Sequence, residues 1–208
     1  RQLETLSFHD RAFSKVHFLP DGNLLFTESL VGDHQPLPLT TRHRPLPGHK
    51  TRLGDGFIYV FTPEGEMVSM FEPESHGGMT GSMAITHSVL SADGSTLIYV
   101  SETGPRLMRW SLAEERQLPD LRFGQDADRT MMHFDLSRRP DGTLLVCMGN
   151  RLDALTVDGV WLRTYRLSGF GWAVLDATRD DLAYVANWFS GEVIKLDLVS
   201  GQVLASTV

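Results

Sequence analysis

The sequence predicts an all-β protein built from one repeated unit, and three observations support that prediction. The segment VHFLPDGNLLFTES at positions 16–29 returns in similar form as SVLSADGSTLIYVSET at positions 88–103. Each copy joins two apolar runs, rich in Leu, Ile, Val, Phe and Tyr, through a tight polar turn, as two paired strands do. No segment shows the spacing of apolar residues that indicates an amphipathic helix of convincing length.

The unit occurs four times, and each copy contains four short strands. The turn of each copy carries an aspartate followed by Gly or Asp, which suits a hairpin because glycine accepts positive φ at little cost. These dipeptides are Asp21-Gly22, Asp93-Gly94, Asp141-Gly142 and Asp180-Asp181. The strands that follow the turns are predicted at 23–28, 96–102, 143–148 and 182–187. Each copy then continues with a further strand, turn and strand.

The spacing of these turns predicts a β-propeller. The aspartates are 72, 48 and 39 residues apart, and the last two spacings fit a blade of about 40–50 residues. The first spacing is longer because residues 31–55, rich in Pro, His and Arg, are predicted as an inserted loop. We expect a single domain with blades at approximately 13–73, 77–126, 131–168 and 169–208. Since propellers have about 4–8 blades, we expect a larger ring, with residues 3–8 as the outer strand of a further or closing blade.

Composition narrows the class of protein. The 208 residues carry a formal net charge of −7, which argues against a nucleic-acid binder because such proteins usually present a basic patch. No stretch approaches the roughly 18 apolar residues of a membrane span. The single Cys147 excludes an internal disulfide and leaves the cellular compartment open.

One blade resembles those of the SMP-30/gluconolactonase and strictosidine-synthase-like propellers. The matching residues are Ser91, Asp93, Gly94, Glu102, Thr103, Arg106, Arg109 and Trp110. Residues 18–29 are also similar to NHL and virginiamycin B lyase repeats, and residues 184–203 to YVTN-type repeats. For SMP-30-like enzymes the resemblance implies a hydrolase with a divalent cation, acting on a lactone or ester. The ligand set is not carried over intact, because Thr86-His87 replaces an expected Asn-Gly and His133-Phe134 stands near the expected catalytic Asp.

The ends of the second strands supply candidate metal ligands. In a propeller, the loops after second strands and those leading into first strands share one end of the blades. The second strands are predicted to end on Glu28, Glu102, Met148 and Asn187. Glu28, Glu102 and Asn187 bear oxygen and could together hold a divalent cation, with Ca²⁺ as the first choice. The alternative for each is structural, as a solvated strand end or a turn residue.

Histidines near the starts of the first strands are candidate catalytic residues. His87 and His133 could each act as a general base beside a bound cation, and His17 is a further candidate. With histidine nitrogens among the ligands, a transition metal would also be possible. The alternative is a histidine that satisfies the carbonyl group of a loop.

Two functions follow from these patterns. The first is a metal-dependent hydrolase, lactonase- or esterase-like, that acts on a small-molecule substrate at the channel mouth. The second is a non-catalytic scaffold of NHL or YVTN type that binds a protein or carbohydrate partner through its loops. Self-association, or further blades from another chain, is a third kind of partnership that we expect. An exposed aromatic patch would favour the scaffold. Trp172 and Trp188 are interpreted as core residues between blades, with stacking on a ligand as the alternative.

Overall fold

The structure is a computed structural model that describes residues 13–28, 57–71, 73–74, 85–101, 104–124, 131–169, 171–176 and 178–208, without the side chain of Glu28. The described part contains sixteen strands and no helix, and therefore no helix that could span a membrane. The strands are β1 (Phe13–Phe18), β2 (Leu24–Glu28), β3 (Ile58–Phe61), β4 (Met67–Phe71), β5 (His87–Leu90), β6 (Thr96–Val100), β7 (Arg106–Ser111), β8 (Arg116–Arg122), β9 (His133–Arg138), β10 (Leu144–Met148), β11 (Arg151–Leu155), β12 (Trp161–Arg166), β13 (Gly171–Leu175), β14 (Leu182–Asn187), β15 (Val193–Asp197) and β16 (Val203–Thr207).

The strands form four antiparallel sheets of four strands each, in chain order within every sheet. We call these sheets blade 1 (β1–β4), blade 2 (β5–β8), blade 3 (β9–β12) and blade 4 (β13–β16). The predicted all-β class with four four-stranded propeller blades is confirmed. The predicted inserted loop at 31–55 and the predicted strand at 3–8 lie outside the described residues.

The first hairpin of each blade contains the predicted tight turn, and its length differs between blades. Gly22, Gly94 and Gly142 all have positive φ, between 71° and 89°, as the Asp-Gly dipeptides predict. Two of these turns are closed by backbone hydrogen bonds four residues apart, from Leu19 N to Asn23 O and from Arg139 N to Thr143 O. In blade 2 the equivalent bond runs from Ser91 N to Thr96 O, so this turn has one extra residue.

The chain divides into two compact units. Unit 1 comprises Arg1–Glu102 and Met108–Pro119, and unit 2 comprises Thr103–Leu107 and Asp120–Val208. Blade 1 lies in unit 1, and blades 3 and 4 lie in unit 2. Blade 2 lies mostly in unit 1, with the first residues of β7 and the last residues of β8 in unit 2. We call the face of a blade that carries Leu25 in blade 1, or the equivalent Leu145 in blade 3 and Tyr184 in blade 4, its forward face, and the opposite face its rear face.

Unit 1 has its core between the forward face of blade 1 and the rear face of blade 2. Leu25 and Ile58 of blade 1 pack there with Tyr99 and Trp110 of blade 2, and all four are almost fully buried. A second cluster on the rear face of blade 1 contains the buried Phe57, Tyr59, Phe61 and Met70. Alternation along the strands sends successive side chains to opposite faces, so one blade supplies two apolar surfaces.

Unit 2 has its core between the forward face of blade 3 and the rear face of blade 4. Leu145 and Cys147 of blade 3 pack there with Ala173, Val185 and other small or aliphatic side chains of blade 4. Tyr165 of blade 3 spans the interface and donates its hydroxyl hydrogen to the carbonyl oxygen of Leu198 in blade 4. The two blades are therefore joined by apolar packing and by a buried hydrogen bond.

Candidate functional site

The residues predicted to end the second strands lie at equivalent positions in three of the four blades. Strand pairing sets each closing residue opposite the start of the first strand: Glu28 opposite Phe13, Met148 opposite His133, and Asn187 opposite Gly171. In blade 2 the extra turn residue shifts this equivalence by one, so buried Ser101, and not Glu102, corresponds to Glu28. Glu102 and the side chain of Glu28 lie outside the described residues.

Asn187 organises the turn after β14. Its Oδ1 atom accepts hydrogen bonds from the backbone N–H groups of Phe189 and Ser190, at 3.0 and 3.3 Å. The backbone N–H of Gly191, at φ 72°, then donates to the carbonyl oxygen of Asn187 at 2.9 Å. Because both lone pairs of Oδ1 are engaged in the turn, the predicted role of Asn187 as a metal ligand does not fit its hydrogen bonding.

The two predicted catalytic histidines lie in different units and are described separately. His87 is half-buried in unit 1, at the start of β5 and opposite Val100 of β6. His133 is buried in unit 2, where its ring centroid lies 6.4 Å from that of Phe123. No group of three or more His, Cys, Asp or Glu side chains that could hold a metal ion occurs within the described ranges.

His17 belongs to a buried polar network in unit 1. Its Nε2 atom lies 2.9 Å from Ser88 Oγ, which is 3.2 Å from Thr27 Oγ1, and Thr27 Oγ1 is 2.7 Å from Ser14 Oγ. Burial, with the nearby charge of Lys15, lowers the pKa of His17 from 6.5 to about 4. The ring is therefore neutral at pH 7. Ser88 is completely buried, and through its hydroxyl the network connects β1 and β2 of blade 1 with β5 of blade 2.

Cys147 has the burial of a structural cysteine. Its thiol donates a hydrogen bond to the carbonyl oxygen of Gly171 at 2.7 Å, and burial raises its pKa to about 12. A thiol of that kind is protonated at neutral pH and does not act as a nucleophile.

A cavity of about 340 Å³ lies in unit 1 between the hairpin turns of blades 1 and 2. Apart from Ser69 of β4, its polar lining consists of turn residues, and several of their side chains already support their own turns. Asn23 Nδ2 donates to Asp21 at 2.9 Å, and Ser95 Oγ donates to Asp93 at 2.8 Å. Hydrogen bonds from Ser91 and Ser95 lower the pKa of Asp93 to about 2, so this carboxylate stabilises the turn in its charged form.

Unit 2 exposes an aromatic cluster at the end of the blades where β13 begins and β14 finishes. Trp172 on β13 is 39% exposed, and Trp188 and Phe189 in the turn after β14 are 59% and 78% exposed. The ring centroids of Trp172 and Trp188 lie 5.1 Å apart, and those of Trp188 and Phe189 lie 6.4 Å apart at an interplanar angle of 20°. Buried Phe134 meets both indoles edge-on, at 6.2 Å.

The aromatic cluster, comprising Trp172, Trp188, Phe189 and Phe134, is held in place from two sides. Asn187 and Gly191 fix the backbone that carries Trp188 and Phe189. Phe134 supports the indoles from the core between blades 3 and 4. The cluster is therefore a preformed surface, and such a surface loses little conformational entropy when it is covered.

The interpretation of Trp172 and Trp188 as core residues was therefore wrong in part, because both are exposed although they contact a core ring. The local sequence contains a signal for this. Asn187-Trp188-Phe189-Ser190-Gly191 places two aromatic residues in succession inside an Asn-Gly-bounded turn. Side chains in a surface turn do not alternate between a buried and an exposed face as they do in a strand. We therefore expect at least one of the two rings to face solvent.

No known protein family matches the sequence, and no curated protein is similar to it. Similarity to solved structures is nevertheless extensive. A β-propeller domain, Cps50 (Swd1) of Myceliophteria thermophila, is 13% identical with a TM-score of 0.59, and the match covers 98% of this chain and 57% of that one. Kuenenia stuttgartiensis hydrazine synthase is 14% identical with a TM-score of 0.62, covering 99% and 52%. A Bacteroides caccae protein of unknown function is 14% identical with a TM-score of 0.60, covering 96% and 62%.

The chain thus spans between about half and three fifths of the length of these structures. The structural similarity establishes the fold, and at sequence identities this low it carries no information on activity. The chain has the β-propeller fold, with four described blades.

Proposed function

We propose that the chain is a non-catalytic β-propeller module that binds a protein partner on the aromatic cluster of unit 2. The observation that supports this function is the exposure of Trp172, Trp188 and Phe189 side by side on an ordered turn. Tryptophan is enriched among the residues that dominate the energy of protein interfaces, because its large ring buries much area with few rotatable bonds.

The polar groups beside the cluster favour a protein over a carbohydrate. Asn187 Oδ1 is engaged in the turn, and Glu192 accepts a hydrogen bond from Ser168 Oγ at 2.8 Å. A sugar needs precisely placed polar groups that read its hydroxyls, whereas apolar side chains of a protein need mainly apolar area. Because these polar groups already form hydrogen bonds within the chain, the cluster offers a partner mainly apolar contact area.

The test uses a library of displayed peptides selected on the wild-type chain. Selected peptides should be rich in aromatic and aliphatic residues. They should lose about thirty-fold in affinity for the double variant Trp188→Ala and Phe189→Ala, since truncating an interface hot spot costs about 2 kcal/mol or more. Affinities are measured by titration calorimetry with synthetic peptides.

The matched control is Trp161→Ala, which removes a similarly exposed tryptophan from β12 of the same unit, outside the cluster. Peptide affinity for this variant should equal that of the wild type. Peptides that bind both variants equally well would contradict the proposal. Cluster-dependent binding on a glycan array, without cluster-dependent peptides, would assign the site to a carbohydrate instead.

The metal-dependent hydrolase of SMP-30-like type stays a prediction of the sequence. It depends on Glu28 and Glu102, and its described ligand candidate, Asn187, is engaged in a turn. Metal analysis of the purified, untagged chain tests it directly. A stoichiometric divalent cation that is lost in Glu102→Gln and in Glu28→Gln would favour the hydrolase. Retention of the cation in both variants would place it elsewhere.

A further inference from the structure

The cavity of unit 1 combines an apolar floor with an acidic rim. Val60 and Phe71 of blade 1 line its floor and are only 6% and 2% exposed. Asp21 and Asp93, in the hairpin turns of blades 1 and 2, are exposed and stand at its rim. The described residues that line it include no Lys, Arg or His. All of them belong to unit 1, so the cavity is one site within one compact unit.

Ser69 brings an unpaired hydroxyl to this cavity. It is 2% exposed, and it is the cross-strand partner of Val60, so both side chains lie on the forward face of blade 1 that the cavity adjoins. Ser69 Oγ forms no hydrogen bond within the described part of the chain. A hydroxyl removed from water normally has a partner, because leaving it unpaired costs free energy. The cavity is the space from which a ligand can supply that partner.

The charges at the rim indicate the kind of ligand. Asp21 accepts two hydrogen bonds, from the backbone N–H and from the Nδ2 atom of Asn23. A carboxylate offers about four acceptor positions, so Asp21 can accept further N–H groups. Two carboxylates without a cation among the lining residues favour a positively charged ligand and disfavour an anion. A bare metal ion fits less well, because no group of three or more His, Cys, Asp or Glu side chains that could hold one occurs in the described ranges.

We propose that the cavity binds a small amine with an apolar body, whose ammonium group lies at the rim beside Asp21 and Asp93 and whose far end reaches Ser69. The apolar body covers the floor that Val60 and Phe71 form. The volume of about 340 Å³ lies at the lower end of the range of about 300–1,000 Å³ for small-molecule sites.

The order of these groups favours a free amine over the lysine side chain of a protein partner. A lysine side chain would enter with its ammonium group first and bring that charge to the apolar floor, where it loses its hydration. A free amine enters with its apolar end first and keeps its ammonium group at the exposed rim.

This site goes beyond the proposed binding function and shares no residue with it. The aromatic cluster belongs to unit 2, whereas every residue that lines the cavity belongs to unit 1. Loss of amine binding and loss of peptide binding can therefore be observed separately.

Titration calorimetry of the complete chain at low salt tests the proposal with four compounds of similar size. 2-Phenylethylamine should bind about ten-fold more tightly than the neutral 2-phenylethanol, and the anionic 3-phenylpropionate should not bind, because the rim is acidic. 4-Hydroxyphenethylamine carries a hydroxyl at its far end. It should bind about five-fold more tightly than 2-phenylethylamine, since that hydroxyl can form a hydrogen bond with Ser69.

Two variants separate the rim from the floor. Asp21→Asn should weaken the binding of 2-phenylethylamine about three-fold or more and leave the binding of 2-phenylethanol unchanged. Ser69→Ala should abolish the preference for 4-hydroxyphenethylamine over 2-phenylethylamine. Its melting temperature should hold or rise, because the change removes a hydroxyl that has no partner in the described structure.

The matched control is Asp141→Asn, in the equivalent turn of blade 3. Asp141 accepts a hydrogen bond from the backbone N–H of Thr143 at 2.9 Å, as Asp21 does from that of Asn23 at 3.0 Å. It does not line the cavity, so this variant should bind all four compounds like the wild type.

Four outcomes would overturn the proposal. The first is that neither amine binds at about 10 mM, a concentration at which compounds of this size are expected to occupy a matching site. The second is that Asp141→Asn weakens amine binding as much as Asp21→Asn, since the net charge of the chain would then explain it. The third is that Ser69→Ala keeps the preference for 4-hydroxyphenethylamine. The fourth is that Nα-acetyl-lysine methylamide binds more tightly than 2-phenylethylamine, which would assign the cavity to a lysine side chain.

Discussion

Units 1 and 2 join neighbouring blades at equivalent positions by different chemistry. In unit 1 the forward face of blade 1 places Thr27 against Ser88, and His17 completes the hydrogen-bonded network. In unit 2 the position of Thr27 is taken by Cys147, whose partner is a backbone carbonyl, and the position of His17 is taken by Ser137. The Oγ atom of Ser137 is buried and has no hydrogen-bond partner within the described residues.

At the position of Thr27 and Cys147 the interface retains side-chain size and leaves polarity open, whereas His17 and Ser137 differ in both. Thr and Cys are of similar size, and both are completely buried. A buried hydroxyl requires a partner, which is why Thr27 and Ser88 occur together in unit 1. The polar interface gains a dependence on pH through His17, whereas Cys147, with its pKa raised to about 12, adds none near neutrality. Four substitutions test this difference between the two units.

The largest effect is expected in unit 2, from Gly171→Ala. A Cβ atom at Gly171 would lie 1.5 Å from the carbonyl oxygen of Ala186 on the paired strand, and no side-chain rotation could relieve this clash. We expect destabilisation by more than about 3 kcal/mol. Urea unfolding measures it. Gly142→Ala is the control, because its Cβ would meet open space and positive φ alone should cost about 1–2 kcal/mol. A smaller loss for Gly171→Ala than for Gly142→Ala would contradict the close approach of these strands.

The second effect is the pH dependence that His17 gives to unit 1. The pKa of His17 is about 4 when folded and 6.5 when unfolded, so the unfolded state binds more protons between these values. The stabilisation is complete above about pH 6.5 and is lost as the pH falls toward 4, by at most about 3 kcal/mol. His17→Gln should flatten this part of the profile in urea unfolding at a series of pH values. An unchanged profile in that variant would mean that other groups cause the loss.

The third effect concerns the hydroxyl network itself. Ser88→Ala removes the central hydroxyl between His17 and Thr27, and we expect a loss of about 1–3 kcal/mol because buried polar atoms then lose their partner. Thermal unfolding monitored by circular dichroism measures the loss. Equal stability of variant and wild type would show that the network contributes no net energy.

The smallest effect is expected for Ser137→Ala, at the position in unit 2 that corresponds to His17. Because Ser137 Oγ has no partner in the described structure, removing it should change the free energy of unfolding by less than about 0.5 kcal/mol or stabilise the chain. The same thermal measurement, run beside Ser88→Ala, gives the contrast between the two interfaces. A loss as large as that of Ser88→Ala would indicate that Ser137 makes a bond, for example to water.

The repeat was predictable from the sequence because strands and turns depend on neighbouring residues. Apolar alternation, and glycine at positive φ after aspartate, predicted sixteen strands in four blades, with the second strand of blade 4 correct at both ends. The predicted equivalence of Glu102 with Glu28 is wrong by one residue, because the turn of blade 2 has one extra residue. This residue moves every following side chain to the opposite face of the sheet. A sequence match that tolerates an insertion cannot detect this reversal.

By itself, the sequence determined the fold class, the number of described blades and the turn glycines, since each depends on local periodicity and backbone sterics. Only the tertiary structure decided which faces are covered. Tyr184 and Leu145 occupy equivalent strand positions, but Leu145 is buried against blade 4 whereas Tyr184 is 38% exposed. Likewise, Trp188 is exposed because Asn187 folds the turn outward, while Trp110 is buried because blade 1 covers it. Burial depends on contacts between distant parts of the chain, which the local pattern of residues does not encode.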